Sequence, residues 1–147
     1  MADKPTPKLD DQIDRFKNTH NLITVTGKHY SGKQLHLAHV DGVVLQEQAM
    51  KALLEAKRDL ARKSNKTISV ISSYRSWAKQ AMLYARYKAG LSSLPAAPPG
   101  SSFHNIGLAI DITNWSDQEV RSALTKHGWN WGSGFGDKVH FSYKVHG

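Results

Sequence analysis

His104, Asp111 and His140 are the residues whose types and spacing point most directly to chemistry. His104 closes a Gly/Ser-rich stretch in Ser102-Phe103-His104-Asn105-Ile106-Gly107-Leu108-Ala109-Ile110-Asp111, seven positions before Asp111. A turn at Gly107 followed by a strand would return both side chains to one point at the rim of a sheet. A neighbouring strand carrying His140 would add a third ligand. The chain has no cysteine, which excludes thiol catalysis, disulfides and thiolate metal sites; any metal must be held by imidazole and carboxylate. Two His and one carboxylate leave a fourth tetrahedral position for water, as in catalytic rather than structural zinc sites. Zinc suits these ligands and needs no redox partner. Asp137, three residues before His140, is placed to sit beside such an ion without binding it, taking a proton from water and passing it to a leaving amine. Arg75, just after a β-branched stretch, is a candidate to stabilise the oxyanion formed on an attacked carbonyl. His20, His29, His36, His39, His127 and His146 lie in turn-like or helical settings with no carboxylate at a telling spacing, and read as surface or packing residues.

Three segments carry a resemblance: Ser72-Ser73-Tyr74-Arg75-Ser76 with Gln80, Ser102-x-His104-x-x-Gly107-x-Ala109-x-Asp111, and Asp137-x-x-His140-Phe141. In order and spacing, from about Val44 to Tyr143, they resemble the zinc peptidases typified by the vancomycin-resistance D,D-peptidases and the phage L-alanyl-D-glutamate endopeptidases. The resemblance implies one zinc per chain on His104, Asp111 and His140, with Asp137 as general base and Arg75 on the scissile carbonyl. It also implies roles in substrate or site geometry for Ser102, Gln80, Tyr74 and Trp131, and the fold shared with the Hedgehog signalling domain. Many relatives place Glu where this chain has Asp137. Asp there, and the Trp129-Asn130-Trp131-Gly132 stretch, are closer to the phage endopeptidase branch. The expected activity is therefore hydrolysis of the L-alanyl-D-glutamate bond in peptidoglycan stem peptides. The rival readings are a D-alanyl-D-alanine carboxypeptidase and, from another class, a catalytically silent wall-binding domain that keeps the zinc. The loop Leu91–Ser102 carries no Lys or Arg to grip a chain end, which tilts the reading toward the endopeptidase.

These residues must be positioned by a small set of elements. Leu9, Ile13 and Phe16 recur at helical spacing after Pro5 and Pro7. Asn21–Thr26 reads as a strand, and Leu35, Leu37 and Val40 as another within a turn-rich stretch. Val44–Ser64 reads as a helix with Leu45, Ala49, Leu53, Ala56 and Leu60 along one face. Thr67–Ser72 is β-branched and reads as a buried strand, followed by a helix over Ser76–Ala89 that stops at Gly90. Leu91–Ser102, with Pro98-Pro99-Gly100, is a loop. Leu108–Thr113 and Val139–Tyr143 read as strands, and Ser116 with Glu119 as a capping box opening a helix to His127. The pattern predicts one α+β domain over residues 1–147, with a mostly antiparallel central sheet and flanking helices. Its core spans about 44–143, preceded by an N-terminal helix and short strands.

The 147 residues suffice for one hydrophobic core, and 39% hydrophobic with 22% charged content is that of a globular domain. No apolar run approaches a bilayer span. The N-terminus lacks a basic start followed by an apolar stretch, so no secretory signal is expected. Synthesis in the cytoplasm and holin-dependent release to the wall would follow. The net charge of +8 predicts attraction to polyanions, anionic wall polymers included. Half of the 20 Lys+Arg fall between Lys51 and Lys88, mostly on helices, where a solvated face is the simpler account. No nucleic-acid-binding motif is present, and a monomer is expected.

Overall fold

The computed structural model describes residues 4–17, 22–25, 35–93, 95–99, 102–132 and 137–144. Helix α1 (Pro7–Lys17) precedes strands β1 (Leu22–Val25), β2 (Leu35–Val40) and β3 (Val43–Gln46), which form an antiparallel sheet in that order. Helix α2 (Glu47–Ser64), β4 (Val70–Ser72), α3 (Trp77–Lys88), a 3-10 turn (Phe103–Ile106), β5 (Ala109–Ile112), α4 (Gln118–Lys126), β6 (Trp129–Trp131) and β7 (His140–Tyr143) follow. The last four strands form a second antiparallel sheet, ordered β4-β5-β7-β6. The α+β class and antiparallel pairing agree with the sequence reading, but the strands divide between two sheets instead of one.

The expected helix over Val44–Ser64 begins later, at Glu47. Asp41 and Gly42 both have positive φ and make a two-residue turn that pairs Val43 with Val40. This matches hairpin twist and commits Val43–Gln46 to a strand. Leu45 fits either period, but its neighbours alternate in burial as a strand requires. The strand expected over Thr67–Ser72 is shortened to Val70–Ser72 and lies at the edge of its sheet rather than buried. A register shift makes Ile71 an extra residue opposite β5, and it is 64% exposed. Asp117, not Ser116, caps α4, its side chain accepting from the Glu119 amide. Strand β6, only three residues long, was not anticipated as a strand.

The core forms between α2 and both sheets. Met50, Leu53, Leu54 and Leu60 of α2 pack with Ile110, Ile112, Leu124, Trp129 and Phe141, all essentially buried. Trp129, 0% exposed, is therefore a core residue. Helix α1 docks through Ile13 and Phe16, and its Asp10 accepts from Arg62 at 2.9 Å. The two sheets meet at β3. The Gln46 amide donates to the Gly107 carbonyl at 2.8 Å, and the Tyr74 amide to the Val44 carbonyl at 2.8 Å. Among the described residues no helix is long and apolar enough to cross a membrane.

Candidate metal centre

His104 stands on the 3-10 turn Phe103–Ile106, which is fixed at both ends. Ser102 caps it, its hydroxyl accepting from the His104 amide at 3.2 Å. Gly107 ends it at φ +71°, where a Cβ would lie 2.7 Å from Leu37 Cδ2 and 3.1 Å from the Gln46 amide nitrogen. Both the left-handed backbone and the close approach call for glycine. The chain then enters β5, where Asp111 pairs with His140 of β7 on one side and Ser72 of β4 on the other. The sheet register thus carries the convergence anticipated from the spacing.

The three side chains meet. His104 Nε2 is 3.1 Å from Asp111 Oδ1, and His140 Nδ1 is 3.4 Å from the same oxygen. One ligand atom from each residue lies within 4.8 Å of the others. Adjacent corners of a zinc tetrahedron with bonds of about 2.0–2.1 Å are about 3.3 Å apart, close to the two measured edges. The donors also fit a cation chemically. His104 Nδ1 lies 2.7 Å from the Ser73 carbonyl, which can only accept, so Nδ1 carries the hydrogen and Nε2 presents a lone pair to a carboxylate oxygen. Two acceptors facing one another need a cation or a proton between them, and the donor set suits zinc. A fixed second nitrogen is also the usual support of a metal-binding histidine. A proton serves the same point when the imidazoles are charged: burial alone would raise the Asp111 carboxyl, but hydrogen bonds and charge from protonated His104 and His140 outweigh it and hold it well below the usual carboxylate range.

The other anticipated residues take distinct places. Arg75 Nη2 is 3.5 Å from Asp111 Oδ2 and donates to Ser72 Oγ at 3.0 Å, while Nη1 donates to Gln80 Oε1 at 2.8 Å. Gln80, 1% exposed, passes its other end to the Ala97 carbonyl at 2.8 Å, tying Arg75 to the loop before the centre. Asp137 is more than half exposed, with Oδ2 4.0 Å from His140 Nδ1, beside the trio rather than within it. Tyr74 is half-buried next to Arg75. Trp131 donates its indole N–H to the Lys138 carbonyl at 2.7 Å and stacks on Phe141, with Arg121 over its ring at 4.6 Å. It thereby holds the turn that carries Asp137. Gly132 lies beneath the same turn, where a Cβ would come 2.7 Å from the Asp137 carbonyl oxygen.

Two supports were not anticipated. Ser73 holds His104 through its carbonyl, which no side-chain pattern reveals. Asn105, fully buried, donates to the Arg75 carbonyl at 2.8 Å; a polar residue directly before the largely apolar run Ile106–Ile110 is its one signal in the sequence. Of the remaining histidines, His39 is exposed, and His127 bonds Asp59 at 2.7 Å between α2 and the end of α4. His20, His29 and His146, and the side chain of His36, lie outside the described residues.

The VanY family, described as D-alanyl-D-alanine carboxypeptidase, matches residues 42–144. Solved structures share the fold. VanYB in complex with D-alanine-D-alanine is 21% identical with a TM-score of 0.61, over 82% of this chain and 84% of that one. The vancomycin-resistance D,D-pentapeptidase VanY from the VanB-type resistance cassette, in complex with Zn(II), is 23% identical with a TM-score of 0.58, over 82% and 86%. The LdcB LD-carboxypeptidase is 20% identical with a TM-score of 0.55, over 84% and 68%. No curated protein sequence matches the chain. With the greater part of its length matched and a His-Asp-His group assembled within it, the chain belongs to the VanY family and is a zinc metallopeptidase acting on peptidoglycan.

Proposed function

We propose that the chain hydrolyses the L-alanyl-D-glutamate bond of peptidoglycan stem peptides, with His104, Asp111 and His140 holding zinc. The observation that carries the catalytic part is the convergence of this trio with Arg75 and Asp137. Zinc held there supplies Lewis acidity, lowering the pKa of water toward about 7 and polarising a carbonyl. Asp137, exposed and 4.0 Å from His140, takes a proton from the attacking water and returns it to the departing amine. Arg75 is fixed by Ser72, Gln80 and Asp111 through three N–H contacts. A guanidinium has five N–H groups, so one on Nε and one on Nη1 remain beyond these contacts, and either can donate to the carbonyl oxygen as negative charge develops on it. Because the guanidinium is already held, little reorganisation accompanies the reaction.

The choice of bond is supported by Asp at position 137, by the Trp-x-Trp-Gly stretch and by a loop without cations before His104. A second reading, release of terminal D-alanine, is favoured by the family match and by the fold shared with a structure holding D-alanine-D-alanine. Mass spectrometry of digested sacculi separates the two. The proposal expects new free N-termini on D-Glu and glycan strands retaining only L-Ala. Release of single D-Ala residues with the stems otherwise intact would establish the second reading instead.

A further inference from the structure

We infer that a cleft beside the metal centre binds a carboxylate of the peptide substrate through Lys79, with the Tyr74 hydroxyl as second donor; this rests on the stem-peptidase reading above. The cleft, about 500 Å³ in volume, lies between the β2–β3 turn and the stretch from β4 to the start of α3. It shares Ser72 and Arg75 with the centre, and Arg75 reaches Asp111. A peptide with its scissile bond at the metal centre therefore has its neighbouring residues within reach of the cleft.

Most polar groups of the cleft are already engaged. Ser72 Oγ accepts from Arg75, Ser73 Oγ from the Val44 amide, and Ser76 Oγ from the Lys79 amide. The one acid, Asp41, accepts from Gln12 at 3.0 Å and pairs with Lys8 at 3.4 Å. Two donors remain. The Lys79 ammonium is exposed and has no ion-pair partner among the described residues. The Tyr74 hydroxyl likewise has no partner among them, and burial raises its pKa, so it stays a neutral donor. Donors without a partner outnumber the one acid, whose charge Lys8 already pairs, and such a lining selects an anion, which in a stem peptide is a carboxylate. Ile71, the exposed bulge residue on the same wall, adds apolar contact for a short side chain.

The carboxylate can come from D-Glu or from the chain terminus, and one experiment distinguishes them. Synthetic stem peptides are prepared with all carboxylates free, with the D-Glu carboxylate amidated, and with the C-terminus amidated. Each is given to zinc-loaded wild type, Lys79→Gln and Lys79→Arg. On the free peptide Lys79→Gln should raise KM about tenfold with kcat little changed, and Lys79→Arg should restore most of it. Amidating the engaged carboxylate should erase the difference between wild type and Lys79→Gln, and the peptide on which it vanishes identifies the source. An equal KM for wild type and Lys79→Gln, or a rise of the same size on all three peptides, overturns the inference. If wild type cleaves none of them, the stem-peptidase reading fails by itself and calorimetric titration decides the cleft. Binding about tenfold tighter to wild type than to Lys79→Gln keeps the carboxylate site, and equal or absent binding removes it.

Discussion

Asp111 divides its two oxygens between two tasks, and the consequences can be separated by substitution. Oδ1 faces His104 and His140, while Oδ2 faces Arg75, so one carboxylate links the proposed metal ligands to the group proposed for the oxyanion. His104→Ala, Asp111→Ala or His140→Ala should each lose most of the zinc in elemental analysis. Asp137→Ala should keep zinc and fold but lose about 10²–10⁴-fold in turnover, the usual contribution of a general base. Full zinc in any two of the ligand variants would overturn the assignment. Gln80 gives a second prediction. Gln80→Leu keeps approximate volume but strips a partner from Arg75 and leaves the Ala97 carbonyl without its bond. Leaving buried polar groups unsatisfied should cost about 1–3 kcal/mol in urea denaturation, with turnover reduced and zinc retained. These residues were legible because few side-chain types can bind zinc or move a proton, and a cysteine-free chain narrows the choice further. Ser73 and Asn105 were not, because what they supply depends on where a backbone carbonyl points, and that is set by the fold.

The elements that aim these residues were read unevenly, for reasons of length. Long amphipathic stretches such as α2 declare their period, but three- and four-residue strands carry too few residues to do so. The sequence reading takes Val44–Gln46 of β3 into the helix that follows, and takes β6 as a motif rather than a strand. The edge position of β4 depends on pairing order, which composition does not encode. Gly132 follows β6 directly, and its place shows what that strand contributes. Gly132→Ala would put a methyl 2.7 Å from the Asp137 carbonyl oxygen and 3.1 Å from that of His140. The turn must shift, so a loss of about 1–3 kcal/mol in stability is expected, together with weaker zinc retention against a chelator. Unchanged zinc affinity would show that His140 is held by β7 alone. A separate junction, Asp59 with His127, ties α2 to the end of α4. Burial would raise the Asp59 carboxyl, but the hydrogen bond and charge of His127, with Lys126 and Lys63, hold it below its ordinary value. A carboxyl whose folded pKa lies under its unfolded value of about 3.9 stabilises the fold above that pH and loses the contribution as pH falls through the folded pKa. Asp59→Asn should therefore destabilise by about 1 kcal/mol near neutrality. Its melting temperature should converge on that of wild type in acid, as the pH falls below about 3.9 and through the lowered folded pKa of Asp59.

At the scale of the whole molecule the prominent feature is charge, which the sequence states outright and the fold distributes. The net +8 persists although several cations are paired: Arg62 and Arg58 with Asp10, Lys66 with Asp117 and Glu119, Lys126 with Asp59. Pairs of this kind at the surface contribute little to stability, so the excess charge matters for association. A wall carrying anionic polymers would concentrate such a molecule at its substrate, and this attraction acts through solvent over about 8 Å at physiological salt. A short soluble stem peptide offers no such field and meets only the site. Raising NaCl from about 0.05 M to about 0.5 M shrinks the screening length from about 14 Å to about 4 Å. Hydrolysis of intact sacculi should then fall several-fold, mainly through weaker retention on the wall in a pull-down measured alongside. Cleavage of a short peptide should fall much less, its remaining sensitivity coming from the charged groups at the site. If the two rates fall in parallel while pull-down is unchanged, salt acts at the site, and the basic surface of α2 and α3 has no part in reaching the wall.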